Sequence, residues 1–132
     1  MNLQHNVDAT LAAVSQYSAM LEGLLANLPL ELRTTSVLAV QELLVNIVRH
    51  GYSGAVGQIV IGMALSTKLL EFKVRDDATT PFSMPDTISP PDPLDLPENG
   101  MGLFIIQQAF DQVHCERIGT SNHWTLIKHM EG

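Results

Sequence analysis

The chain has 132 residues, a length suited to one domain, and its 45% hydrophobic against 16% charged content excludes a disordered tail. Its net charge of −7 argues against a nucleic-acid partner, because a phosphate backbone repels an acidic surface. The lone Cys115 excludes an intramolecular disulfide.

In chain order, the opening "MNLQHNVDATLAAV" has no basic segment followed by a continuous apolar run, so no signal peptide is expected. No stretch approaches the roughly 18 uninterrupted apolar residues of a membrane span. The expectation is a soluble cytoplasmic domain with neither membrane nor nucleic acid as partner. "NLQHNV" reads as a short strand. Leu11 to Leu28 then repeats apolar residues at helical spacing, with Asp8 or Thr10 to cap its start and Pro29 to end it.

A second helix is predicted from about Glu31 to His50, burying Val37, Val40, Leu44, Ile47 and Val48, with "GYSG" as its stop. "GQIVIGMALST" and "LLEFKVRD" read as two strands of a hairpin around Lys68. From Pro81 to Pro97 the chain holds six of its seven prolines, a density neither helix nor strand survives. A loop of that length inside one domain reads as a lid, at about 81–99. "GMGLFIIQQAFDQV" restarts a helix with Leu103, Ile106, Phe110 and Val113 in phase. "VHCERIG" and "HWTLIKHM" close the chain as strands joined by a "GTSN" turn. The order implies one α+β domain over 1–132, a two-layer sandwich of a mixed, mostly antiparallel sheet with helices on one face.

Three places carry candidate chemistry. Glu42, Asn46 and His50 stand at i, i+4 and i+8, a polar line on an otherwise oily helix. Buried, these groups need partners; exposed, they are the solvated stripe of an amphipathic helix. Asp76 follows a strand and, once ionised, only accepts hydrogen bonds. It suits a ligand edge presenting an exocyclic amine such as that of adenine, although Asp76-Asp77 also fits a plain turn. Gly100 and Gly102 sit where the lid meets a helix N-terminus, a place where backbone amides close on phosphate. The glycines match neither a dinucleotide fingerprint nor a Walker A loop, and taken alone two ordinary turn glycines are the default reading.

Taken in order, "ELLVNIVRHGY", a strand ending in Asp, a proline-rich lid and "GMGL" opening a helix resemble the GHKL superfamily of histidine-kinase-like ATPases (Bergerat fold). The likeness covers nearly the whole chain and is nearest to the bacterial anti-sigma factor serine/threonine protein kinases of partner-switching systems. Their Glu-x-x-x-Asn-x-x-x-His-Gly/Ala-Tyr signature stands here as Glu42 to Tyr52. The resemblance implies ATP and Mg2+ as cofactors. It makes Glu42 the catalytic base and Asn46 the metal ligand, and Asp76 the acceptor for the adenine amine with Ala78 beside it. Gly100, Met101, Gly102 and Leu103 would form the phosphate cradle, and Thr125 would support the base. It further implies a small STAS-type antagonist protein as substrate, a sigma factor or phosphatase as second partner, and a homodimer.

The alternative is a nucleotide-gated binding module with little or no kinase activity. Two departures motivate it: the family's Asp-x-Gly is Asp76-Asp77-Ala78 here, and "LPENGMG" carries Glu98 and Asn99 where kinases of the group can place a cation. His50 and Tyr52 are expected to lock the helix end, and Trp124 to pack in the core or an interface. His114, His123, His129 and Cys115 form no tight metal-ligand pattern.

Overall fold

The computed structural model describes residues 1–79 and 101–130. The lid at 81–99, with Glu98 and Asn99, lies outside the described residues, as does Gly100. The elements run β1 (Asn2–Asp8), α1 (Leu11–Leu24), α2 (Leu30–Asn46), a π-helical segment (Ile47–Tyr52), β2 (Gln58–Leu65), β3 (Leu69–Asp76), α3 (Met101–Ala109), β4 (Gln112–Ile118) and β5 (Ser121–His129).

One five-stranded sheet has the order β1-β2-β3-β5-β4. Among the described residues every strand pairing is antiparallel, so the mixed sheet expected from the sequence is wholly antiparallel here. Strand side chains alternate between two faces. Val7, Ile59, Ile61, Leu70, Phe72, Val74, Trp124 and Leu126 are buried under the helices, while Lys73 and Arg75 emerge on the open face. The helix layer answers with Leu21, Val40, Leu43, Leu44 and Ile106. Each fully buried leucine or isoleucine contributes about 1.5–3 kcal/mol.

Local chemistry sets the helix boundaries. Thr10 has extended backbone and its hydroxyl accepts from the Ala13 N–H at 3.1 Å, so α1 starts where the capping side chain stands. It ends at Leu24, earlier than the apolar period up to Leu28 predicts. Pro29, with φ −52°, leads into α2. The α-helical part of α2 stops at Asn46, and the turn then widens so that the Ser53 N–H reaches the Val48 carbonyl at 3.2 Å. That extra residue per turn breaks the predicted line of three: Glu42 and Asn46 are half-buried, but His50 is exposed.

At the far end of α3 the predicted phase also fails. Val113 belongs to β4 rather than the helix. Asp111 turns the chain: its N–H donates to the Ile127 carbonyl at 2.8 Å and its carboxylate accepts from the His129 N–H at 2.6 Å. The His129 N–H bond, with Lys128 nearby, holds the Asp111 carboxyl below its ordinary range. The "GTSN" turn shortens as well, since Ser121 and Asn122 are already part of β5.

Candidate functional site

Helix α2 packs between α1 and α3 through Val37, Val40, Leu43 and Leu44, and Glu42 and Asn46 stand half-buried on the side where α3 begins. Gly102, in the first turn of α3, faces them directly. A methyl group at Gly102 would come within 2.7 Å of Asn46 Nδ2 and 3.3 Å of Glu42 Oε2. The missing side chain therefore lets a helix N-terminus, with its unpaired amides, approach a carboxylate and a carboxamide. Met101 opens the same helix, and Leu103 is half-buried against the core.

Asp76 closes β3 on the helix-facing side and is only 2% exposed. Its Oδ1 accepts from the Ala78 N–H at 3.1 Å and from Asn122 Nδ2 at 3.0 Å. Its Oδ2 accepts from the Trp124 indole N–H at 3.4 Å. A buried carboxylate needs such donors, since unpaired it would cost several kcal/mol. Ala78 is itself buried. Ser53 is the one non-glycine residue with positive φ among the described residues, so the family's glycine is replaced without a left-handed backbone.

The end of the motif helix touches this loop. Without a side chain, Gly51 sits so close that an added methyl would lie 3.0 Å from the Ala78 Cβ. The Tyr52 hydroxyl accepts from the Asp77 N–H at 2.9 Å and donates to the Gln58 carbonyl at 2.7 Å. Burial, aided by the Asp76 and Asp77 charges, raises the Tyr52 pKa against the opposing pull of the Asp77 N–H and Arg75, so the phenol keeps its proton. Glu42, Asn46 and Gly102 thus form one cluster, Asp76 and Ala78 another, and the helix end joins them.

Thr125 is not brought to either cluster. It pairs with Lys73 on one side and His114 on the other, on the open face of the sheet. The residue opposite Asp76 in the register is Asn122, which is 2% exposed. Strand parity held the signal for it: if Trp124 points inward, Asn122 must also, and Thr125 cannot. Trp124 is 3% exposed, as a core residue should be, yet its indole N–H serves Asp76. Two further contacts had no signal in the sequence. Arg117 Nη1 donates to the Ala78 carbonyl at 2.9 Å, and the Ser121 hydroxyl bonds the Asp77 carboxylate.

Among the described residues no three His, Cys, Asp or Glu side chains converge as a metal site, and no helix is long and apolar enough to cross a membrane. A divalent ion at Asn46 would therefore draw most of its ligands from phosphate and water, as Mg2+ commonly does. The carboxamide oxygen of Asn46 is a hard ligand of the kind such an ion takes, and it is the Nδ2 side of the same group that lies against Gly102.

Residues 7–128 match the model of the histidine kinase-like ATPase domain. The serine-protein kinase RsbW of Bacillus cereus (strain AH820) is 35% identical over 83 residues, 58% of this chain and 51% of that protein. The chain spans about half the length of the curated relatives it matches. Two solved structures share the fold. One contains the RsbU and RsbW domains of a Mycobacterium tuberculosis protein, with a TM-score of 0.70 at 22% identity, covering 97% of this chain and 32% of that one. The other is the histidine kinase domain of a blue-light activated histidine kinase from Erythrobacter litoralis, with a TM-score of 0.56 at 20% identity, covering 89% of this chain and 59% of that one. By its family model, its sheet and its helix layer, the chain belongs to the histidine kinase-like ATPase family, whose domains bind ATP, and resembles the RsbW serine-protein kinases within it.

Proposed function

We propose that this chain is an ATP-dependent serine/threonine protein kinase that phosphorylates a small antagonist protein in a partner-switching pathway. The observation that carries the reading is the close approach of Gly102 to both Asn46 and Glu42 at the start of α3. Mg2+, held by the Asn46 carboxamide oxygen, would supply charge neutralisation between the phosphates. Glu42 stands one helical turn from Asn46 and takes the proton of the acceptor hydroxyl on its carboxylate. The amides of Met101, Gly102 and Leu103 open α3 and would face the phosphates, with Gly100 preceding them in the sequence. Asp76 has room for one more donor beyond its three protein partners, because an ionised carboxylate accepts about four hydrogen bonds. The exocyclic amine of adenine fits that place, with Ala78 against the base. Thr125 on the open face takes no part in this reading; Asn122 supports Asp76 instead.

On the resemblance its motifs carry, the substrate would be a STAS-type antagonist, the competing partner a sigma factor or phosphatase, and the working form a cytoplasmic homodimer. Glu98 and Asn99 before the glycines favour a second reading, a nucleotide-gated binding module that holds its partner without phosphorylating it. Labelled ATP with a purified antagonist separates the two. In the kinase reading label reaches the antagonist. Glu42→Gln then lowers transfer by about 100-fold or more, the scale of a general base, while calorimetry shows ATP still bound. Asn46→Ala removes most Mg2+-dependent affinity. No label with either protein supports the binding module, and unchanged affinity in Asn46→Ala removes the site assignment.

A further inference from the structure

The "HGY" end of the motif helix has no part in the chemistry above, yet it makes direct contacts with the loop that presents Asp76. The Tyr52 ring lies over Gly57, where an added methyl would be 2.3 Å from its Cε1, so that glycine exists as space for the ring. The residue is 8% exposed, and its hydroxyl bridges the Asp77 N–H and the Gln58 carbonyl. Asp77 stands just past the end of β3, where the ladder to β2 has finished at the Ile59–Asp76 pair. The phenol supplies the acceptor that a further strand residue would have supplied. One residue along, the Ala78 N–H orients the Asp76 carboxylate, and the Ala78 methyl rests on Gly51. The π-helical segment carries Gly51 and Tyr52 to these two contacts from a helix whose preceding turn holds Asn46.

We propose that Tyr52 and Gly51 are positioning residues for base selection, setting the Asp77–Ala78 loop so that the Asp76 carboxylate is aimed at an exocyclic amine of the bound nucleotide. The inference rests on the nucleotide reading of this site and adds a determinant of which purine it accepts. Removing the phenol oxygen leaves the Asp77 N–H without an acceptor in a part-buried position and frees the loop to shift. Adenine, which donates to Asp76, then loses more than a base that cannot donate there.

The test compares ATP with inosine triphosphate, whose carbonyl oxygen replaces the amine, by calorimetry on the full chain. Wild type is expected to favour ATP by about 100-fold, the upper end of what one hydrogen bond to a charged group is worth. Tyr52→Phe keeps the ring over Gly57 and is expected to cut that preference about tenfold, through weaker ATP binding with inosine triphosphate unchanged. A parallel fall for both nucleotides, or an unchanged ratio, overturns the proposal. Gly51→Ala is expected to weaken ATP binding as well, and Ala78→Gly in the same chain to restore it by removing the opposing methyl. No restoration overturns the Gly51–Ala78 half even where Tyr52→Phe fails to fold. Wild type binding neither nucleotide overturns the nucleotide reading itself and this inference with it.

Discussion

Gly102 carries a role that depends on having no side chain. A methyl there meets Asn46 Nδ2 at 2.7 Å, and Asn46, with two rotatable bonds and α2 behind it, has little room to retreat. Overpacking of this kind costs about 1–3 kcal/mol, and about 1.4 kcal/mol is tenfold in affinity. Gly102→Ala is therefore expected to weaken Mg2+-dependent ATP binding about tenfold while the far-ultraviolet spectrum stays that of the native fold. Calorimetry giving the wild-type affinity would mean that Asn46 does not face the phosphates. Glu42 and Asn46 were legible in the sequence because a carboxylate and a carboxamide interrupt an apolar helix. Gly102 was legible as a glycine before a helix, but not as their neighbour, because nothing in the order of residues states that α3 starts beside the end of α2.

At the scale of elements, the π-helical segment Ile47–Tyr52 matters most. Hydrophobic periodicity extends the motif helix smoothly to His50, since Ile47 and Val48 are buried in either kind of turn. Widening of the turn is a response to tertiary contacts, the seat of Gly51 on Ala78 and of Tyr52 under Asp77, and so lies beyond a local pattern. The segment ends at Ser53, whose φ of 49° and ψ of 42° are left-handed and cost a side-chain-bearing residue about 1–2 kcal/mol. Its hydroxyl recovers little, reaching the Arg49 and His50 carbonyls only at 3.4 and 3.5 Å. Ser53→Gly should thus stabilise the protein by about 0.5–1 kcal/mol, after the greater unfolded-state freedom of glycine is counted. A denaturant midpoint that falls would show that the hydroxyl contacts outweigh the strain.

For the whole molecule, the two groups with the largest upward shifts make stability fall at alkaline pH. Burial pushes the Cys115 thiol up from 9.0 to about 12, assisted by the Asp76 charge, and pushes the Tyr17 phenol from 10.0 to about 12. Both groups are neutral when protonated and are held neutral by the fold. Their contribution is complete below the unfolded pKa values and is lost as pH rises from about 9 towards 12. The melting temperature should decline across that window, and in Cys115→Ala the onset should move from near pH 9 to near pH 10. An unshifted onset would show that the thiol is not desolvated. The sequence alone determined the element order, the α+β class and the pairing of Glu42 with Asn46, because turn chemistry and hydrophobic period are local properties of a chain. Tertiary structure alone decided that every described strand pairing is antiparallel, that β5 sets Asn122 opposite Asp76, and that Tyr52 and Gly51 meet its loop. Those facts depend on strand register and on the approach of elements distant in sequence, where a shift of one residue exchanges which side chains share a face.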